Sequence, residues 1–225
     1  MKNIFRFSAG NGYRIVNLFT EEHAALTGAR DVVIANKLKP EQSWNINSNY
    51  TRNFYFNKSY FTTDLSVFYT RFSNKIIPDY TSDDNSIVFD NLDGYAINQG
   101  FSFNLEWNYL NNLKLMSGIT FMDVNIYNQT HGFIMKERQL LTERFSGVFN
   151  ISYYFTRFNF SIDYTGNVYA PMRLPLQEND FRPEYSPWYS IQNIQISKKF
   201  KSKLEVYAGV KNLLNFVPAP YSIMR

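Results

Sequence analysis

Between Phe101 and Tyr109 the chain reads FSFNLEWNY, with a large apolar residue at every odd position and a polar one at every even position. Side chains of a strand alternate between its two faces. Phe101, Phe103, Leu105, Trp107 and Tyr109 therefore share one face, and Ser102, Asn104, Glu106 and Asn108 the other. The pattern returns at Phe158, Phe160, Ile162 and Tyr164, at Leu204, Val206, Ala208 and Val210, and at Trp44, Ile46, Tyr50, Phe54 and Phe56. One such strand fits any sheet with a single wet face. A succession of them, long and aromatic, describes a wall with lipid on one side and water on the other.

Composition sharpens this reading. Aromatic residues make up 18% of the 225 positions, yet the mean hydropathy is −0.35, so the apolar residues are interleaved with polar ones. No run approaches the roughly 18 apolar residues of a membrane helix. A strand crosses a bilayer in about 9–11 residues, half of which can be polar, so a membrane barrel stays open. Cysteine is absent, which removes disulfides and thiolate metal sites. The net charge of +4 is mild. Its one cluster, Lys198, Lys199, Lys201 and Lys203, surrounds a tight turn and reads as a solvated turn, not a nucleic-acid patch. The residues after Met1, KNIFRFSAGNG, contain no apolar stretch of signal-peptide length, so a barrel reading carries the expectation that this is a fragment.

Two kinds of connection alternate along the chain. The short ones are Asn57-Lys58-Ser59, Asn111-Asn112, Thr156-Arg157 and Lys201-Ser202, each flanked by aromatic or long apolar residues. The long ones run from Ser73 to Asn91, from Asn128 to Thr142 and from Ala170 to Pro187, and they hold the turn formers. Tight turns on one side and long loops on the other is the arrangement of outer-membrane barrels, the aromatics beside the short turns forming a girdle. The spacing predicts strands at Gln42–Phe56, Tyr60–Phe72, Tyr95–Leu110, Leu113–Tyr127, Glu143–Phe155, Phe158–Tyr169, Trp188–Phe200 and Lys203–Leu213, with Ile4–Ser8 ending an earlier one. In Leu113–Tyr127 the apolar phase shifts near Phe121-Met122, which predicts a bulge. The fold class is all-β: about eight to ten antiparallel transmembrane strands of a larger barrel, filling residues 1–225 with no second domain.

Three segments carry a family resemblance. Gly10-Asn11-Gly12-Tyr13-Arg14 is followed by Asn17-Leu18 and then by Leu38-Lys39-Pro40-Glu41, which leads into the strand at Trp44. Near the end stands Val210-Lys211-Asn212-Leu213-Leu214-Asn215. In this order the segments resemble the C-terminal half of the barrel of TonB-dependent outer-membrane receptors. Gly12, Tyr13, Arg14, Leu38, Lys39, Pro40, Glu41, Asn212 and Leu213 are the motif positions. The family pattern has a proline two residues after the arginine, where this chain has Ile15-Val16. The resemblance implies a parent barrel of about 22 strands with a plugged lumen, a plug domain lying N-terminal to this chain, and a final strand beyond Tyr221-Ser222-Ile223-Met224-Arg225. It also implies a bacterial outer-membrane location and a lipid-facing exterior. The parent takes a scarce ligand, such as a ferric siderophore, cobalamin or an oligosaccharide, when an inner-membrane energy-coupling complex displaces the plug. Such a protein is a transporter, not an enzyme, and needs no cofactor.

Other candidate sites read as ordinary structure. Gly10 and Gly12 lack the following helix of a phosphate loop. Glu21-Glu22-His23 and His131 are too few and too dispersed for a metal site, and Asp83-Asp84 reads as a loop tip before a calcium site. Asn49-Tyr50-Thr51, Asn57-Lys58-Ser59 and Asn128-Gln129-Thr130 match the glycosylation pattern but stay unmodified in a bacterial barrel. Ligand contact is expected from the long loops at 79–91 and 174–186, with Tyr80, Phe181, Arg182 and Tyr185 as candidates, since aromatics and arginine dominate recognition. Two alternatives stand beside this reading: a small self-contained outer-membrane barrel, acting as adhesin or lipid-modifying enzyme, and a soluble β-sandwich binding module.

Overall fold

Nearly every segment of alternating polarity becomes a strand. The computed structural model describes residues 2–15, 31–35, 37–79, 85–110, 112–130, 132–176, 181–200 and 204–217. In chain order the strands are β1 (Lys2–Arg14), β2 (Asp31–Ile34), β3 (Glu41–Phe56), β4 (Ser59–Ser73), β5 (Ile76–Asp79), β6 (Ser86–Asn91), β7 (Gly94–Tyr109), β8 (Leu113–Thr130), β9 (Phe133–Arg138), β10 (Phe145–Phe155), β11 (Phe160–Tyr169), β12 (Tyr189–Lys199) and β13 (Glu205–Val210). Ten of them form one antiparallel sheet in the order β1-β3-β4-β7-β8-β10-β11-β12-β13, with β9 also on β8. Among the described residues β1 and β13 are its edges, so the wall is open.

The register fixes the faces. Partners run Phe54, Phe61, Trp107, Leu115, Ile151, Tyr164, Ile194 and Val210 across eight strands, an unbroken apolar row. On the opposite face Arg6, Asn49, Ser66, Ser102, Thr120 and Ser146 pair in turn, a polar row across six strands that ends where Ser146 meets Tyr169. The expected outward rows Phe101/Phe103/Leu105/Trp107 and Phe160/Ile162 share the apolar face. Phe158 does not belong to its row: the turn runs through residues 156–159, closed by Asn159 at φ 50°, and Phe158 lies in it.

Because neighbours in the sheet are antiparallel and sequential, the short turns gather at one end and the long connections at the other. Asn57 and Lys58 both have positive φ, 43° and 66°, as a two-residue hairpin that matches strand twist requires. Beside the turns, rings stack from strand to strand: Phe54 on Phe61 at 5.0 Å, Phe61 on Trp107 at 6.0 Å and Phe155 on Phe160 at 4.3 Å.

The bulge expected near Phe121-Met122 is absent from the β7–β8 pair, which keeps one register from Gly94 opposite Asn128 to Tyr109 opposite Leu113. The irregularity lies across the other edge of β8. There Phe121 pairs with Phe145 and Asn125 with Arg138, so four steps on β8 face seven on its partner. The phase shift has a different cause. Beyond Met122 the inward face turns apolar, with Val124 and Ala96 buried, while Asp123 and Asn125 take the outward side.

The long connections also hold structure that alternation did not announce. β9 rises from the second of them. A separate small sheet, β2-β6-β5, joins β5 and β6 of the first connection to β2, which lies between β1 and β3; β2 is parallel to β6 and β5 antiparallel. Ile76, Ile87 and Phe89 form its core, with Val32 and Leu38 packed against them.

Candidate functional site

Two features of the wall are built for contact: a clamp at its loop end and the polar face below it. The clamp joins segments far apart in sequence. Gly12, Tyr13 and Arg14 end β1 and pair with Ser43, Gln42 and Glu41 at the start of β3. Arg14 Nε donates to Glu41 Oε2 at 2.7 Å. Glu41 is only 5% exposed, and its other oxygen accepts from the backbone N–H of Ile76, the first residue of β5, at 2.9 Å. A carboxylate this buried requires partners at both oxygens, and it has them. Pro40 disfavours helix at Lys39, which leaves the Lys39 backbone extended enough to exchange hydrogen bonds with the Asn91 side chain, 2.6 Å to Oδ1 and 3.0 Å from Nδ2. Asn91 Nδ2 also reaches the Asn74 carbonyl at 2.7 Å, and Leu38 enters the small sheet's core.

Lys75 completes the clamp. Its ammonium donates to Gln139 Oε1 and lies 5.1 Å from the centre of the Phe72 ring. Burial pushes its pKa below the ordinary lysine value; Glu41 partly opposes this and Arg14 adds to it. Asn91, Lys75 and Gln139 carried no sequence signal, because none stands near a motif position in the chain.

Asn212 and Leu213 do a similar job at the end of β13. Asn212 adopts φ 52° and its amide spans the turn, donating to the Phe216 carbonyl and accepting from the Phe216 N–H, both at 2.9 Å. The Leu213 N–H bonds back to Gln192 at 2.7 Å.

Of the loop candidates, Phe181 is fully exposed, and Arg182 Nη2 donates to the Pro175 carbonyl at 3.0 Å. Tyr185 bridges to Arg173, and its ring lies 5.9 Å from the Arg138 guanidinium. Arg173 stands between Glu137 and Glu184, each at 3.4 Å. Tyr80 lies outside the described residues, as do Asn17, Leu18, Glu21, Glu22, His23, Asp83, Asp84 and His131.

The polar face is a hydrogen-bonded lattice of amides, hydroxyls and spaced carboxylates. Asp64 accepts from Asn49 Nδ2 and Thr51 Oγ1, both at 2.8 Å, and Arg6 reaches Asn49 at 3.1 Å. Glu106 pairs with Lys114 at 3.1 Å and accepts from Asn108 at 3.0 Å. Asp163 accepts from Ser152 and Ser161. A shallow groove centres on Gly118, lined on this face by Thr62, Asp64, Asn104, Glu106, Met116 and Asn150. A side chain at Gly118 would fill it, since a Cβ there stands 2.6 Å from Asn104 Oδ1. This surface can hold water or another polar surface.

The model of the family described as TonB dependent receptor-like, beta-barrel, matches residues 3–213. The chain belongs to this family. The lipid-facing exterior and the outer-membrane location of TonB-dependent receptors follow for its apolar face. Solved structures agree on the fold. The FrpB iron transporter from Neisseria meningitidis superposes with a TM-score of 0.67 at 16% identity, over 95% of this chain and 33% of that one. The siderophore receptor PirA from Acinetobacter baumannii gives 0.64 at 14% identity, over 95% and 35%. The ferric-catecholate import receptor Fiu from K12 E. coli gives 0.66 at 13%, over 95% and 29%. The chain thus spans about a third of the length of these receptors. No curated protein matches the sequence significantly.

Proposed function

We propose that this chain supplies the later strands of the wall of an outer-membrane transporter that imports a scarce ligand, a ferric siderophore first and cobalamin or an oligosaccharide next. The observation that carries the reading is the two-sided wall: an apolar row across eight strands and, on the other face, a polar row across six. A lumen lined by amides and hydroxyls suits a plug that must slide or unfold against it, because the groups around Asp64, Glu106 and Asp163 already bond to one another and lose little when the plug leaves. Passage then consists of binding and gating, powered by an inner-membrane energy-coupling complex. The iron transporter, the siderophore receptor and the ferric-catecholate import receptor of similar fold favour the ferric siderophore. Tyr80, Phe181, Arg182 and Tyr185 are proposed as ligand contacts on the loops.

The test is uptake by cells bearing the full-length receptor, with labelled ferric catecholate, ferric hydroxamate, cobalamin and a maltodextrin offered in turn. One ligand accumulates, and a protonophore abolishes the accumulation. Uptake that survives the protonophore, or failure of every ligand to enter above a receptor-deleted strain, sinks the transporter reading. Arg182→Ala with Tyr185→Ala lowers affinity for the imported ligand; unchanged affinity removes these two residues as contacts.

A further inference from the structure

On the outward face, beyond the apolar band on the loop side, four side chains form a ladder. The Arg71 guanidinium carbon lies 4.6 Å from the centre of the Tyr95 ring, Tyr95 stacks on Tyr127 at 4.7 Å with 11° between planes, and Lys136 Nζ lies 5.9 Å from the Tyr127 ring. Register places them together. Arg71 and Tyr95 share the parity of outward Val67 and Phe101, Tyr95 pairs with Tyr127, and Tyr127 pairs with Lys136. With strands about 4.8 Å apart, the ladder runs about 14 Å around the wall.

Its depth follows from strand geometry. A band about 25 Å tall, crossed at about 40° by a strand rising about 3.3 Å per residue, uses about ten residues. Counted from Tyr109, the band ends near Gln99. Tyr95 stands about four residues further out, at headgroup level.

The charge there is lopsided. Arg71, Lys136 and Arg144 are all exposed. The carboxylate among them is Asp123, bonded to Arg144 at 3.2 Å and within the field of Lys136. A cation resting on a ring keeps its outer N–H donors free. Below Arg144 and Asp123 a groove on the same face continues past Gln99 to Phe101 and Phe121, whose rings lie 5.1 Å apart. Cations above and an apolar furrow beneath match one molecule: a lipid with an anionic head and acyl chains.

We propose that Arg71, Tyr95, Tyr127 and Lys136, with Arg144 beside them, bind the phosphate groups of outer-leaflet lipids. The test uses the full-length receptor in non-ionic micelles, with bound lipid counted by native mass spectrometry. Phosphatidic acid is the probe and phosphatidylcholine the control. Phosphatidic acid binds preferentially, and Arg71→Gln with Lys136→Gln weakens it about thirtyfold, the share of two cations at a membrane surface. Arg71→Lys with Lys136→Arg retains binding, and inorganic phosphate fails to displace the lipid. Equal binding of both lipids, unchanged binding in the glutamine variant, or displacement by inorganic phosphate overturns the proposal. Should the glutamine variant not assemble, the native receptor decides it. Raising NaCl from about 0.05 to about 0.5 M loosens phosphatidic acid at least about tenfold if the contact is electrostatic, and salt-insensitive binding overturns it.

Discussion

The membrane band and the loop end are made by the same strands yet are built on opposite rules. In the band, large apolar residues point away from the protein and polar ones point in. At the loop end the order reverses. The nine buried apolar residues among those described are Ile76, Ile87, Phe89, Leu92, Ala96, Val124, Ala170, Met172 and Leu174, and all lie on the loop side. The difference comes from the solvent. Lipid covers the band's apolar face, so the band needs no core of its own and must only satisfy its backbone through the ladder. Beyond the bilayer both faces of the wall meet water, and apolar side chains are stable there only when packed on one another.

The strongest way to break this comparison is to cut the loop-end core. Phe89→Ala should cost that cluster about 3–5 kcal/mol, more than a sheet of β2, β5 and β6 can lose. Amide exchange of those three strands in the full-length receptor should then become fast while β7 stays protected. Equal loosening of β7 would show that the two regions are one cooperative unit.

The matching cut in the band is Leu105→Arg, which places a charge near the bilayer midplane at a cost of about 2–4 kcal/mol. Denaturant unfolding of the receptor in lipid vesicles measures it. A loss below about half a kcal/mol would mean that Leu105 does not face lipid.

Glu41 tests the joint between the regions. Glu41→Ala removes the acceptor of both Arg14 and the Ile76 N–H, with an expected cost of about 1.5–3 kcal/mol for a charge-assisted pair. Faster exchange should start at Ile76 and spread through β5. Protection unchanged at Ile76 would show that the clamp holds without its carboxylate.

The smallest effect concerns pH. Burial lowers the Lys75 pKa, so above that depressed value the folded protein binds fewer protons than the unfolded chain. Stability therefore rises with pH from the depressed value to the ordinary lysine pKa. Lys75→Met should flatten that rise in thermal melts across the alkaline range. A slope identical in both proteins would place the Lys75 amine in water.

Alternation of period two decided the band by itself. Phe101 to Tyr109 specifies a face without reference to any neighbour, because lipid accepts every apolar side chain that points outward. Asn57-Lys58 and the aromatics around it likewise fixed a turn and a girdle locally, although at Thr156-Arg157 the turn claimed Phe158 as well. The motif residues were visible in the sequence, but their meeting was not. Arg14 and Glu41 lie 27 residues apart, and Lys39 and Asn91 lie 52 apart. β5, β6 and β9 were hidden in stretches that read as loops, since short strands with turn formers nearby carry too few alternations to register. Their place was decided by which apolar side chains could bury one another once the wall had brought them together, as Ile76, Ile87 and Phe89 do. The break opposite β8 is of the same kind. The phase shift at Met122 was legible, but whether the chain bulges or the surroundings change from lipid to water depends on how far the strand has already risen, which only the assembled sheet sets.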